Sequence, residues 1–406
     1  MRTIATPRTD RHARAAWRST PRRWLALLLF LTALVPPAAP AQPALGPFKS
    51  ERATFRVVQI AAGLEHPWSL AFLPDGRMLV TERPGRLRMI GRDGRLEAAA
   101  VEGVPRVAAV GQGGLLDVVL HPRFAENALV YLALSGVSEP DGSGTGTDIV
   151  RGQLVATPTG HRLQDVQTIF RTQPRSTRGF HFGGRLVFDR QGMLHLTLGD
   201  RGEMPRAQRM DDHAGSVIRL HDDGRVPADN PFVNTPGARP EKFTLGNRNI
   251  QGAAMHPLTG ELWTHEHGPQ GGDEINVIRS GRNYGWPVIT FGVNYGLGTR
   301  IGEGTARPGM EQPLHVWTPS IAPSGMAFYS GVAFPGWKGN LLIGALRGRA
   351  LHRLELNGEK VVREERLLAD AIGRIRDVRA GPDGLVYLLT DERAGQLLRL
   401  EPAGGR

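Results

Sequence analysis

A histidine and an aspartate stand at matched distances from one turn. His181 lies in RGFHFGGRL and Asp200 lies in LTLGDRGE, on either side of a turn at 189–192. If the two flanking segments pair as a hairpin, the imidazole and the carboxylate face each other at the same end of it. A carboxylate beside an imidazole fixes its tautomer and raises its basicity. The pair is therefore a candidate general base with its orienting acid, although a lone histidine is more often structural.

Four arginines form a second group of candidates. Arg374 and Arg376 project to the same side of one strand because they are two residues apart. Arg248 and Arg347 occupy comparable places next to other predicted strands. Guanidinium groups bind carboxylates in bidentate fashion, and four cations without an anion would repel one another. The group therefore favours a polyanionic ligand, with salt bridges to Asp or Glu as the alternative.

A glycine-rich loop, HGPQGGDE, is a third candidate. It follows one strand of a predicted hairpin, and Arg248 and Asn249 precede the other. Pairing about the intervening PLTG turn would place these two residues opposite Pro269 and Gly268. Exposed backbone carbonyls in such a loop bind hard cations, chiefly calcium, although the composition alone is a weak signal.

The elements that must position these groups are six copies of one unit, a strand, a Pro/Asp/Gly turn and a second strand. The alternation of apolar residues and the glycine-containing turns are typical of β-hairpins. Starts 46 to 74 residues apart leave room for four strands per copy, which predicts an all-β fold, a six-bladed β-propeller with four-stranded antiparallel blades. The six copies are SLAFLPDGRMLVTE from Ser69, LLDVVLHPRFAENALVYLAL from Leu115, RLVFDRQGMLHLTLGD from Arg185, QGAAMHPLTGELWTHEHG from Gln251, GMAFYSGVAFPGWKGNLLIGAL from Gly325 and RDVRAGPDGLVYLLTDE from Arg376.

Superposing the six units brings a set of polar residues to one place. Each lies just before the first strand of its unit, which is the innermost strand of a propeller blade. A ligand site at one mouth of the central channel is the expectation, although such mouths are commonly polar. The residues are His66, Gln112, His181, Arg248, Asn249, Ser320, Arg374 and Arg376.

Composition limits the classes of function. The chain has no Cys, which excludes thiol catalysis and cysteine-based zinc sites.

A basic region, an apolar run and an Ala-Pro-Ala site predict a cleaved secretory signal peptide over residues 1–41, with a single propeller domain over 42–406 and a periplasmic or secreted location. Removing the seven Arg and one Asp of that segment lowers the net charge from +11 to +5, and no basic cluster interleaved with aromatics indicates nucleic acid. The apolar run is too short for a membrane span, so the mature chain is expected to have none.

These motifs together resemble the soluble quinoprotein sugar dehydrogenases, and most closely their aldose sugar dehydrogenase branch. The likeness runs from about residue 66 to residue 391. It is carried by HPWSLAFLPDG, GQGGLLDVVLHP, HFGGRL, LGNRNIQG, EHGPQGGDEIN, NYGWP, PSIAPSGM and RIRDV. The resemblance implies a six-bladed propeller that holds pyrroloquinoline quinone (PQQ) and calcium over the axis.

The resemblance also assigns roles. His181 is similar to the base that takes the anomeric proton, Asp200 to the residue that orients it, and Arg248 to a contact of the reacting quinone carbonyl. The cofactor contacts implied are Gln112, Arg248, Asn249, Ser320, Arg347, Arg374 and Arg376, and the calcium ligands implied are Gly268 and Pro269 for the cofactor's ion and Glu274 and Tyr284 for a structural ion.

Three departures from the glucose dehydrogenase branch bear on the substrate. Arg347 stands in place of a Lys, Ser320 in place of a Thr, and Phe180 in place of an Asp that contacts the sugar. The last change favours a broad range of aldoses over strict glucose selectivity.

The resemblance thus implies oxidation of an aldose at C1 to its lactone, with electrons leaving to a quinone or a cytochrome. A calcium-dependent lactonase on the same architecture and a non-catalytic binding module are the alternatives.

Overall fold

Short antiparallel strands supply nearly all of the regular structure. The computed structural model describes residues 43–137 and 144–403, so the predicted signal peptide at 1–41 lies outside the described residues. The strands are β1 (Ala44–Lys49), β2 (Thr54–Leu64), β3 (Pro67–Phe72), β4 (Met78–Glu82), β5 (Arg86–Ile90), β6 (Leu115–Leu120), β7 (Leu129–Gly136), β8 (Gly146–Thr157), β9 (Gly160–Arg171), β10 (Leu186–Phe188), β11 (Leu194–Thr197), β12 (Val217–Leu220), β13 (Ile250–Met255), β14 (Leu262–Glu266), β15 (Asp273–Ile278), β16 (His315–Trp317), β17 (Pro323–Phe328), β18 (Leu341–Ala345), β19 (Leu351–Asn357), β20 (Lys360–Leu367), β21 (Ile375–Ala380), β22 (Val386–Thr390) and β23 (Gly395–Pro402).

These strands form six antiparallel sheets, and the predicted six-bladed propeller is confirmed. The sheets are β3–β5, β6–β9, β10–β12, β13–β16, β17–β20 and a last one in the order β1-β2-β23-β22-β21. The expectation of four strands in every blade is wrong for three of them. In the first and third blades the outermost strand is reduced to single bridges, Ile90 to Leu96 and Ile218 to Lys242.

The ring is closed by pairing the beginning of the chain with its end. Strand β2 lies antiparallel to β23, from Phe55 opposite Pro402 to Leu64 opposite Gly395. The last blade therefore takes two of its five strands from the start of the described chain. No local sequence pattern indicates this pairing, because the partners are more than 300 residues apart.

Apolar side chains hold neighbouring blades face to face. Six main buried clusters occur in the described residues, one between each pair of adjacent sheets. The second strand of a blade is covered on both faces, and every residue of β4, β18 and β22 is buried. Outer strands such as β20, KVVREERL, are largely exposed and polar. Burial of both faces thus selects apolar runs in the second strands, and exposure selects charged residues at the rim.

A charged cluster fills the channel between the inner strands. We call Asp117, Arg185, Asp377 and Arg379 the axial ion network. Arg185 Nη1 lies 3.0 Å from Asp377 Oδ1, and Arg379 lies 3.0 Å from Asp117 and 2.8 Å from Asp377. Asp117, Arg185 and Asp377 are at most 3% exposed. Two cations and two anions therefore neutralise one another at the axis.

β-Bulges interrupt five of the inner strands near their first residues. In β13 the bulge places Ile250 opposite Glu266 and Gly252 opposite His265. As a result the carbonyl of Asn249 accepts a hydrogen bond from the N–H of His267 at 3.1 Å. The prediction that Arg248 and Asn249 lie opposite Pro269 and Gly268 is wrong by one residue, because a bulge adds a residue to one strand only.

Helices are short throughout the described residues. They are α1 (Phe124–Asn127) and two 3₁₀ turns, Met204–Gln208 and Pro335–Trp337. In residues 43–137 and 144–403 there is no helix of the length and apolar character that a membrane span requires.

Candidate functional site

A cavity of about 590 Å³ opens at one mouth of the central channel. Side chains from all six sheets, or from the segments that lead into them, line it. They include Trp68, Gln112, Phe182, Asn249, Ala322 and Arg376. The axial ion network lies beneath, since Arg185 stacks under Trp68 with its Cζ 4.1 Å from the ring centre.

His181 and Asp200 meet next to this cavity but do not line it, whereas the neighbouring Phe182 does. His181 Nδ1 lies 2.6 Å from Asp200 Oδ1, and the His181 side chain is 15% exposed against 1% for Asp200. Trp286 Nε1 donates to Asp200 Oδ2 at 2.8 Å, and the N–H of Gly202 donates to Oδ1 at 2.7 Å. Burial alone would raise the pKa of Asp200, but the hydrogen bond and charge of His181 outweigh it and the pKa is lowered. Asp200 is therefore an ionised carboxylate that holds a proton on His181 Nδ1 and leaves Nε2 as the basic nitrogen.

The backbone at His181 adopts a strained conformation. Its φ of +48° lies in the left-handed region, which residues other than glycine rarely adopt. Its N–H donates to the side-chain oxygen of Gln112 at 2.8 Å. Gln112 thus holds the candidate base in place, in addition to lining the cavity.

Arg248 lies on the other side of the pair and is 7% exposed. Its Nη1 donates to the carbonyl of His267 at 3.0 Å, and its Cζ lies 5.4 Å from the ring centre of Trp286. Burial, with the nearby charge of Arg248, lowers the pKa of His267 to about 3. The imidazole of His267 is therefore neutral, and the guanidinium of Arg248 has no opposite charge within 4 Å in the described part of the chain.

Arg374 and Arg376 share one carboxylate. Asp391 Oδ2 accepts from Arg374 Nη2 at 2.7 Å and from Arg376 Nη2 at 3.0 Å. Burial would raise the pKa of Asp391, but the charges and hydrogen bonds of the two guanidiniums lower it to about 2. The alternative of salt bridges to Asp or Glu therefore holds for these two arginines. Two guanidiniums on one carboxylate still leave one positive charge in excess.

The predicted carbonyl loop is tightly folded. Gly268 and Pro269 are buried, and within the described residues nothing donates a hydrogen bond to their carbonyl oxygens. A Cβ on Gly268 would lie 2.2 Å from the carbonyl oxygen of Gly271 and 2.3 Å from that of Gly272. The carbonyl oxygens of Gly271 and Gly272 therefore lie close to Gly268, and carbonyl oxygens are ligands that hard cations accept.

The buried Glu266 and the half-buried Glu274 face each other beside this loop. Glu266 and Glu274 are cross-strand partners, and both line a cavity of about 10 Å³, the space of one water or ion. Burial raises the pKa of each carboxyl, and for Glu274 the charge of Glu266 adds to the effect. Tyr284 also lines the cavity, but its hydroxyl donates to the carbonyl of Val277 at 2.6 Å. The phenol is therefore engaged elsewhere, and only the backbone of Tyr284 is free to bind an ion.

Three further predicted residues behave differently. Asn249 is 2% exposed and lines the cavity. The hydroxyl of Ser320 donates to Asp273 Oδ2 at 2.8 Å. Arg347 is exposed, and its backbone N–H bonds the carbonyl of Ile321 at 3.1 Å. Neither Ser320 nor Arg347 lines the cavity.

Sequence reasoning missed two residues that shape the site. Asp391 ends the sixth unit opposite Arg374, and the N–H of Asp391 donates to the carbonyl of Arg374 at 2.8 Å. Asp391 could have been found by pairing residues at equal distances from a turn, as was done for His181 and Asp200. Trp286 carries no such signal, because NYGWP lies in a loop without register to any strand.

Comparison with known proteins gives one consistent result. A family model described as Glucose / Sorbosone dehydrogenase matches residues 64–399. The chain is 47% identical over 353 residues to "Aldose sugar dehydrogenase YliI" of Escherichia coli (strain K12), which covers 86% of this chain and 94% of that protein.

Solved structures agree with this match. The soluble aldose sugar dehydrogenase (Asd) from Escherichia coli in the apo-form superposes with a TM-score of 0.82 at 46% identity, over 86% of this chain and 100% of that chain. The PQQ-bound form of aldose sugar dehydrogenase (Adh) from Streptomyces coelicolor superposes with a TM-score of 0.71 at 30% identity, over 86% of this chain and 98% of that chain.

Proposed function

Because this chain belongs to the glucose/sorbosone dehydrogenase family, we propose that it oxidises aldose sugars at C1 to their lactones, with PQQ as cofactor and calcium as metal. The observation that carries the proposal is the His181–Asp200 pair, 2.6 Å apart and next to residues that line the axial cavity. The broad similarity to aldose sugar dehydrogenases supports the sugar substrate, and the PQQ-bound Streptomyces structure supports the cofactor.

The residues of the cavity suit a flat polyanion. Arg374 and Arg376 share Asp391, so their donors are only partly used by the protein, and Arg83 adds a third guanidinium to the lining. About 590 Å³ is within the range of pockets that hold small ligands, with room for a sugar beside a tricyclic cofactor. We propose Gln112, Asn249, Arg374 and Arg376 as the cofactor contacts on the cavity wall. Ser320 and Arg347 remain weaker candidates, because neither lines it.

The residues beside the cavity also suit calcium. The carbonyl oxygens of Gly268 and Pro269, to which no described residue donates, would offer hard oxygen ligands, and those of Gly271 and Gly272 lie close by. Glu274, with Glu266 beside it, offers carboxylates for a second, structural ion, and a divalent cation would relieve the cost of burying two like charges. Tyr284 would take part through its backbone only.

When bound, the quinone supplies a two-electron acceptor. His181 Nε2 then takes the proton of the anomeric hydroxyl while C1 loses a hydride, which balances the oxidation of the aldose to the lactone. Asp200 stabilises the imidazolium that forms, without itself taking the proton. Arg248, which lines the small cavity beside the carbonyl loop rather than the axial one, would supply a buried positive charge to stabilise negative charge on the bound acceptor.

Phe180 presents an apolar ring next to the base. It is 52% exposed, with its centre 6.4 Å from that of His181. An apolar surface here offers no polar group to select one sugar hydroxyl pattern, which supports a broad range of aldoses.

The other classes of function fit less well. A lactonase of the calcium-dependent kind needs a group of carboxylates on the axis, and residues 43–137 and 144–403 contain no group of three or more His, Cys, Asp or Glu arranged to hold a metal. In a binding module, nothing would maintain an oriented imidazole with a left-handed backbone beside the cavity.

Export of the protein to the periplasm and transfer of electrons to a quinone or a cytochrome complete the proposal. Both rest on the sequence, through the predicted signal peptide and the lack of a nicotinamide-binding motif.

A reconstitution experiment tests the proposal. The mature chain is freed of metal, then supplied with PQQ and calcium, separately and together, and the bleaching of an artificial electron-accepting dye is followed with a panel of aldoses. We expect bleaching only with both additions, and lactone as product. Lactone hydrolysis without the quinone, or no bleaching with any aldose, would overturn the proposal.

A further inference from the structure

A buried arginine connects the two halves of the His181–Asp200 pair. Arg201 directly follows Asp200 in the chain and is 2% exposed. No carboxylate of the described residues forms a salt bridge with it, in contrast to Arg206, which is paired with Asp212 at 2.8 Å. Burial lowers the pKa of Arg201 to about 10, so the group is still charged at neutral pH. Burying a charge without an ion pair costs free energy, so the N–H donors of this guanidinium must be satisfied by other acceptors.

The guanidinium of Arg201 bonds the segment that carries His181. Its Nε donates to the carbonyl of Phe180 at 2.9 Å, and its Nη2 donates to the carbonyl of Arg178. Its Nη1 donates to the carbonyl of Thr145 at 2.7 Å. The Cζ lies 3.7 Å from the ring centre of Phe182, so the planar group is also stacked.

One peptide unit is thereby held at both ends. The carbonyl of Phe180 and the N–H of His181 belong to the same peptide bond. Arg201 holds the carbonyl, and Gln112 holds the N–H at 2.8 Å. This unit sets the backbone at His181, whose φ is +48°, and Arg201 itself has φ +60°. Strained backbone persists only where its surroundings fix it, and these two hydrogen bonds do so.

We propose that Arg201 is a positioning residue, which fixes the imidazole of His181 against Asp200 by clamping the 178–182 segment. Arg201 directly follows Asp200 in the chain, and its side chain hydrogen-bonds the segment that carries His181. The fork geometry is essential, because three acceptors on different residues must be met by one planar group. The catalytic part of this inference rests on the proposed function, in which His181 is the base.

Arg201→Lys tests the clamp while keeping the charge. Arg353→Lys is the matched control, since Arg353 is 1% exposed and bonded to Glu365 in the fifth blade, away from the mouth. With quinone and calcium saturating, kcat of the Arg201 variant should fall about 10- to 100-fold, as a displacement of about 1 Å causes, with little change in KM. The control should lose stability alone. Equal kcat values in the two variants would overturn the proposal.

A second readout needs no cofactor. In the metal-free apo protein, the proton on His181 Nδ1, donated to Asp200, should give a far-downfield NMR resonance. We expect this resonance to move upfield and to exchange faster in Arg201→Lys, and to be unchanged in Arg353→Lys. An unchanged resonance in both would refute the clamp. A shifted resonance in a protein that shows no dye reduction even as wild type would instead refute the proposed function and leave the clamp standing.

A milder variant covers the case in which Arg201→Lys does not fold. Phe182→Leu removes the stacked ring and leaves all the hydrogen bonds of the guanidinium. It should shift the Nδ1 resonance in the same direction by a smaller amount, and a resonance identical to that of wild type would count against the clamp.

Discussion

The floor of the central channel, which the axial ion network forms, and its mouth, where the large cavity opens, are built from the same inner strands. They differ in how their charges are compensated. At the floor, each member of the axial ion network lies within 3.4 Å of an opposite charge. At the mouth, Arg374 and Arg376 share one carboxylate, and the buried Glu266 faces the half-buried Glu274. His181 at the mouth and Arg185 at the floor are only four positions apart in the chain. The difference indicates that the charges at the floor stabilise the fold. It also indicates that the mouth retains uncompensated charges, which a bound ligand would neutralise.

The largest expected effect comes from removing the base at the mouth. Replacing His181 by Ala should lower kcat by roughly 10²- to 10⁴-fold, the range of general-base catalysis. The charged residues proposed to bind the cofactor are unchanged, so the increase in melting temperature on adding quinone should persist. Steady-state kinetics and thermal melts with and without the quinone check both parts. Wild-type turnover in the His181 variant would show that this residue at the mouth takes no part in catalysis.

Breaking the floor should cost stability. Arg185→Leu leaves Asp117 and Asp377 buried with one partner fewer, and removal of one member of a buried ion pair costs about 3–5 kcal/mol. Arg374→Leu at the mouth is the matched change, and because the side chain is 40% exposed it should cost about 1 kcal/mol or less. Urea unfolding of the two variants measures the contrast. Equal losses would contradict the division between floor and mouth.

Calcium should stabilise the mouth through Glu274. At about a hundredfold excess over its dissociation constant, a ligand stabilises the native state by about 2.7 kcal/mol. We expect calcium to raise the melting temperature of wild type and to have a smaller effect on Glu274→Gln, which removes a carboxylate ligand. Asp222→Asn, at an exposed site away from the mouth, should respond like wild type. A full calcium response in the Glu274 variant would show that the ion binds elsewhere.

The smallest effect concerns pH. Because the folded-state pKa of Asp391 is lowered to about 2 from an ordinary value near 3.8, its ionised form stabilises the fold by about 2 kcal/mol above the unfolded pKa. This contribution is lost as pH falls through about 2. Urea unfolding of wild type and Asp391→Asn between pH 6 and pH 2.5 should show a stability difference that is constant above about pH 5 and shrinks below it. A constant difference throughout would mean that Asp391 does not titrate as its two arginines require.

Much of the architecture can be predicted from the sequence because each blade contains a local hairpin. The six repeated units correspond to the six sheets, and each unit supplies two neighbouring strands of its sheet. The uniform strand count could not be predicted, since the outermost strand of the first and third blades is reduced to a single bridge. The bulge in β13 was also missed, and it moved the partner of Asn249 by one residue.

The sequence by itself determined the period-2 alternation, the turns and the register of His181 with Asp200, because these depend on residues close along the chain. The tertiary structure decided the closure of β2 on β23, the sharing of Asp391, and the burial of Glu266 against Glu274. It also decided the role of Arg201, whose guanidinium donates to residues 21 to 56 positions away. Charges that are paired or left unpaired across blades follow from how the sheets pack, and no local pattern records that packing.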